Sequence, residues 1–99
     1  MPTPTRGTAQ RFQTQCFSVQ AQADPQTLPR VLAPFAKRGL IPDGVQASRG
    51  STARDALHID LQLANTDPAL AHAIAQELRR QVCVETVLLA EQQPQQANA

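Results

Sequence analysis

Few side chains in this chain could do chemistry. His58 and Asp60 stand two residues apart, in a segment where polar and apolar residues alternate. Such alternation marks a strand with one buried and one open face. His58 and Asp60 therefore share the open face, and Gln20, Cys83 and Glu85 are expected on the same side of one sheet. A His beside a carboxylate can move a proton, and a thiolate can attack or bind a metal. The pattern stops short of a catalytic set. There is no nucleophile–base spacing, no paired-acid motif and no Cys-x-x-Cys, so His58, Asp60 and Cys83 read first as ordinary surface residues. Arg49 and Asn65 could hold an anion, but nothing in their spacing joins them. His72 falls on the solvent side of a helix.

The composition narrows the options. The chain has 99 residues, with nine Lys/Arg against eight Asp/Glu for a net charge of +1. This excludes a strongly basic nucleic-acid binder. It has three Phe and no Tyr or Trp, too few aromatics for a sheet that stacks RNA bases. No apolar run approaches the ~18–20 residues of a membrane span. The opening Met1-Pro2-Thr3-Pro4-Thr5-Arg6 has no apolar core like that of a secretory signal. The two Cys residues are expected as reduced thiols in the cytoplasm. No cofactor, metal, nucleic acid or membrane partner is expected.

These residues need elements to position them. Residues 1–10 and the Gln-rich tail 91–99 hold little that could be buried, so both are expected to be disordered. This leaves one domain over 11–90. Two alternating segments there run into Asp-Pro, at Asp24-Pro25 and at Asp67-Pro68. Asp can accept from the free amides of a helix start, and Pro suits the first helical position. Helices are therefore predicted over about 25–38 and 67–81, each with two basic residues near its end, Lys37-Arg38 and Arg79-Arg80. Gly39 is suited to a left-handed cap after the first.

The inward face of the first helix is Leu28, Val31, Leu32 and Phe35; that of the second is Leu70, Ala71, Ile74 and Leu78. Pro34 would leave the Arg30 carbonyl without its helical partner and kink the first helix. Strands are predicted over 16–22, 44–49, 56–63 and 82–89, with Arg49-Gly50-Ser51-Thr52 turning between the middle two. The order β-α-β-β-α-β gives an α+β, ferredoxin-like sandwich with two helices on one face of an antiparallel sheet. The last strand has apolar residues of both parities, at Val82, Val84, Val87, Leu88 and Leu89. One face would be bare on a monomer, so Val87 and Leu89 are expected at an interface.

The order of elements, Asp24-Pro25-Gln26-Thr27-Leu28 entering the first helix and Phe35-Ala36-Lys37-Arg38-Gly39-Leu40 closing it resemble an ACT domain. Among ACT domains, the segment 23–32, the Lys37-Arg38-Gly39 exit and Leu78-Arg79-Arg80-Gln81-Val82-Cys83-Val84 are most similar to the short small subunit of acetolactate synthase. The resemblance covers about residues 14–90. It implies a non-catalytic homodimer that binds and activates a thiamine-diphosphate-dependent large subunit in branched-chain amino-acid synthesis. It also implies an effector site for a branched-chain amino acid at Asp24, Pro25, Gln26, Thr27 and Leu28, with Gly39 and Leu40 across a subunit interface. Effector-binding members commonly have Gly after the Pro, where a bare backbone can approach the ligand. Here Gln26 stands there, and feedback-insensitive small subunits also lack that Gly. The alternative is a free-standing ACT dimer that binds an amino acid and regulates another protein.

Overall fold

A computed structural model describes residues 12–50 and 55–92. The elements are β1 (Thr14–Gln22), α1 (Thr27–Ala36), β2 (Gly44–Arg49), β3 (Ala56–Leu63), α2 (Pro68–Arg79) and β4 (Val84–Gln92). The strands form one antiparallel sheet in the order β2-β3-β1-β4. This is the predicted βαββαβ sandwich. Ser51 and Thr52 of the predicted turn, and the ends 1–11 and 93–99, lie outside the described residues.

The alternation in the strands translates directly into burial. Phe17, Val19 and Ala21 of β1 and Ile59, Leu61 and Leu63 of β3 face the helices and are buried. They meet Val31 and Phe35 of α1 and Ala71, Ile74, Ala75 and Leu78 of α2. Phe17 and Phe35 pack edge to face, with ring centroids 5.3 Å apart. Leu28, Leu32 and Leu70 lie partly buried around this core.

The two Asp-Pro pairs differ. At α2 the expectation holds: the Asp67 carboxylate accepts from the Ala69 amide at 2.8 Å, with Pro68 opening the helix. At α1 the helix starts two residues after Pro25 and its N-cap is Gln26, whose side chain makes no capping bond. Thr27 is fully buried there, and its hydroxyl donates to the Gln22 carbonyl at 2.8 Å, pinning the helix start to the end of β1.

Pro34 is buried inside α1. The Arg30 carbonyl accepts from Gln81 Nε2 at 2.6 Å, so a side chain from the far end of α2 replaces the amide that Pro lacks. Gly39 follows α1 in the left-handed region, at φ +72°. Glu77 ties the two helices, with Lys37 Nζ at 2.7 Å and Arg38 Nη1 at 3.0 Å.

The last strand starts two residues later than predicted and runs to Gln92. Its register shifts beside β1: Ala21 pairs with Val84 and Gln20 with Thr86, leaving Glu85 as an extra residue. This bulge turns Val84 and Val87 to the same, helix-facing side, where both are buried. Val84, Val87 and Leu89 are therefore one face carried across a bulge, whereas Val82 and Leu88 stay exposed. The bare apolar face that predicts an interface at Val87 and Leu89 is thus not formed by these two side chains. Val87 is 4% exposed and Leu89 packs partly buried against the core, while Leu88 is the apolar residue on the open face, at 70% exposed.

Candidate functional site

On the open face, His58 stands between two partners. Its Nε2 lies 3.1 Å from both carboxylate oxygens of Asp60, and its Nδ1 lies 2.6 Å from Gln20 Nε2. β1 and β3 create this group through the Gln20–His58 and Ser18–Asp60 pairings. Cys83 does not join them. It precedes β4, packs partly against the core, and its Sγ lies 3.9 Å from Gln81 Oε1. The thiol on the open face is Cys16, which pairs with Gln62 and Ala90. Burial, helped by the Asp60 charge, pushes this thiol above its ordinary range, so it is a poor nucleophile. Among the described residues, no three His, Cys, Asp or Glu side chains are grouped to hold a metal ion. Arg49 pairs with Leu57, whereas Asn65 lies beyond the other end of β3, so these two belong to opposite ends of the sheet.

The concave part of the molecule is the turn from β1 into α1. Three clefts meet there and Asp24 lines all of them. One, of about 300 Å³, runs past Gln22, Gln26, Thr27 and Arg30 to Val82 and Cys83. A second, of about 240 Å³, is lined by Ala23, Pro25, Arg49 and Leu57. The third, of about 450 Å³, adds Asp55, Ala56 and Glu85. Arg30 thus lines the first cleft, Arg49 the second, and the acidic Asp55 and Glu85 the third.

Asp24 organises this turn. Its Oδ1 accepts from the Gln26 amide at 2.9 Å and its carbonyl accepts from the Thr27 amide at 2.9 Å. Two amides at the start of α1 are thereby engaged by Asp24 itself, and Pro29 in the first turn has none. An effector carboxylate aimed at this helix start would meet a carboxylate already in place. The opposite charges needed for a zwitterion lie in the side chains around the turn instead.

Five of the residues expected at the effector site, Asp24, Pro25, Gln26, Thr27 and Leu28, are contiguous at this turn, although Thr27 is fully buried and Leu28 packs toward the core. Gly39 and Leu40 are not brought to it. They follow the far end of α1, about 15 Å away along the helix axis, and Leu40 donates its amide to the Phe35 carbonyl at 2.9 Å. Sequence reasoning missed Arg30 and Asp55, and it named Arg49 and Glu85 without bringing them to this turn, because a charged residue on a helix, strand end or turn carries no local mark of facing a cleft.

A family model described as an ACT-like domain matches residues 8–96. No curated protein matches the sequence. Among solved structures, the C-terminal domain of the MgtC protein from Mycobacterium tuberculosis superimposes with a TM-score of 0.65 at 18% identity, over 97% of this chain and 100% of that one. The uncharacterized protein TM1266 from Thermotoga maritima gives 0.63 at 13% identity, over 80% and 95%. At such identities the likeness is one of fold.

Proposed function

Since the chain belongs to the ACT-like domain family, we propose that it is a non-catalytic regulatory module that binds an amino acid at the turn between β1 and α1. The observation that carries this reading is the set of clefts around Asp24. They offer guanidinium groups for a carboxylate, carboxylates for an ammonium group, and the apolar flank of Leu57 for a side chain. Gly39 and Leu40 would reach such a site only from a second copy, so the module acts as a homodimer.

The finer reading concerns the partner. The segment 23–32, the Lys37-Arg38-Gly39 exit and the segment 78–84 resemble the small subunit of acetolactate synthase. We take the partner to be the large subunit of that enzyme, acting in the cytoplasm in branched-chain amino-acid synthesis. Gln26 in place of Gly, and Asp24 engaging the helix amides, favour an activating subunit in which that amino acid exerts only weak feedback. A free-standing dimer regulating another protein is the alternative, and it requires the amino acid to bind.

Two experiments separate these. Thermal unfolding of the full chain is followed with each amino acid at millimolar concentration. A ligand at 100 times its dissociation constant adds about 2.7 kcal/mol. At about 4–8 °C per kcal/mol for a domain of this size, the midpoint rises by about 11–22 °C. A midpoint that no amino acid moves overturns amino-acid binding. Mixing with purified acetolactate synthase large subunit tests the partner: an equimolar complex with raised turnover is expected, and no complex with unchanged turnover overturns the assignment.

A further inference from the structure

We propose that the loop between α2 and β4, residues 80–83, is the wall that selects the amino acid. A small apolar amino acid lies in the first cleft, with its carboxylate on Arg30, its ammonium group on Asp24 and its side chain against Val82 and Cys83. This rests on the amino-acid binding proposed above; it narrows three clefts to one and adds the residues that decide which amino acid fits. Local structure sets the charges. Arg30 stands one turn after Gln26 and Thr27, so the three share the face of α1 that lines this cleft of about 300 Å³. A guanidinium matches a carboxylate with two parallel N–H bonds. Asp24 already accepts from the Gln26 amide, but an ionised carboxylate has acceptor sites on both oxygens, so it can take an ammonium group as well.

The wall stands where it does because of Pro34. Proline has no amide, so the Arg30 carbonyl is left for Gln81 Nε2, at 2.6 Å. Gln81 Oε1 accepts from Cys83 Sγ at 3.9 Å. One side-chain amide thus bridges the backbone of Arg30 and the thiol of Cys83, which both line the cleft, without lining it itself. The loop is also fixed through its backbone. The Gln81 amide donates to the Leu78 carbonyl at 3.1 Å, the Val84 amide to the Gln81 carbonyl at 3.1 Å, and the Gln22 amide to the Cys83 carbonyl at 2.9 Å. Gln81 is therefore a positioning residue, acting on the cleft through Arg30 and Cys83.

Chemistry separates this cleft from the other two. Among the described residues, the third is lined by the acidic Asp24, Asp55 and Glu85 and by no cation, so it repels a carboxylate. The second offers Arg49, which is already engaged, beside Pro25 and Leu57. The first joins a guanidinium and a carboxylate to apolar surface at Val82, which is 91% exposed. So exposed a side chain does little for the core, and an apolar side chain laid on it removes both surfaces from water.

The test uses the full chain and its own two thiols. Alkylation by iodoacetamide is followed at Cys83 and Cys16 by peptide mass spectrometry, with each amino acid of the thermal screen present in turn, L-valine first. Cys16 lies about 20 Å along β1 from Gln22 at the cleft and serves as the control. An amino acid that raises the melting midpoint, present at about ten times its dissociation constant, is expected to slow alkylation of Cys83 about tenfold and leave Cys16 unchanged. Gln81→Ala and Arg30→Gln are each expected to weaken its binding about tenfold. Val82→Asp is expected to weaken it too and to admit a basic amino acid instead. Arg30 and Val82 are exposed, so these two variants melt like the parent without amino acid. If no amino acid moves the midpoint, the binding reading fails and this assignment with it. If one does, yet Cys83 is unprotected, or inert from the start, or the three variants bind it like the parent, the amino acid lies elsewhere at the turn and only the wall is overturned.

Discussion

The bulge in β4 can be tested by truncating two adjacent residues. Val87 is 4% exposed and Leu88 is 70% exposed. Val87→Ala removes two buried carbons, worth about 0.8 kcal/mol each. With a small cavity left behind, the loss comes to about 2 kcal/mol. Leu88→Ala removes three carbons, but most of that surface is already in water, so the loss is about 0.7 kcal/mol. At about 4–8 °C per kcal/mol, the melting midpoint should fall by about 8–16 °C for Val87→Ala and about 3–6 °C for Leu88→Ala. The assay is circular dichroism melting at several dilutions, so that subunit association does not enter the difference. The larger side chain thus gives the smaller effect. If Leu88→Ala costs as much as Val87→Ala, the inward placement of Val87 is wrong and the bulge with it.

Three further outcomes are expected. Ile74→Ala, at the fully buried centre of α2, should cost about 2–5 kcal/mol, whereas His72→Ala on the exposed side of the same helix should change the midpoint little; denaturant titration reads both. Gln81→Ala withdraws the donor from the Arg30 carbonyl beside Pro34 and should cost about 0.5–1.5 kcal/mol, and Pro34→Ala in the same background should recover part of it by restoring an amide. Hydrogen bonds from Lys37 and Arg38 hold the Glu77 carboxyl below its ordinary range. Its contribution to stability is therefore fully present above the unfolded value of about 4.3 and is lost as the pH falls through the lower folded value. The melting midpoint of Glu77→Gln should accordingly converge on that of the parent as the pH falls through that window, and a constant gap down to the lowest pH would refute the linkage.

The candidate site was legible only in part. Asp24-Pro25-Gln26 marked a turn into a helix because Asp and Pro act locally, through their own side chain and ring. The charges that line its clefts come from four separated places, at Arg30, Arg49, Asp55 and Glu85. Only the sheet order, which sets the end of β2 and the start of β4 on either side of the β1–α1 turn, makes them neighbours. The same holds for Gln20, His58 and Asp60. Their shared face followed from period two, but the contact of Gln20 with His58 depends on the β1–β3 register.

The sequence by itself determined the six elements, their order, the inward faces of both helices and of β1 and β3, and the left-handed turn at Gly39. Each of these is a local matter of side-chain periodicity, capping or backbone freedom. The tertiary structure decided where alternation breaks. One extra residue at Glu85 reverses the parity of everything after it, and only pairing with β1 places that residue. It also decided that α1 tolerates Pro34, since the donor that satisfies the Arg30 carbonyl comes from Gln81, 51 positions away in the chain. A hydrogen bond between distant residues leaves no trace in the local pattern of either.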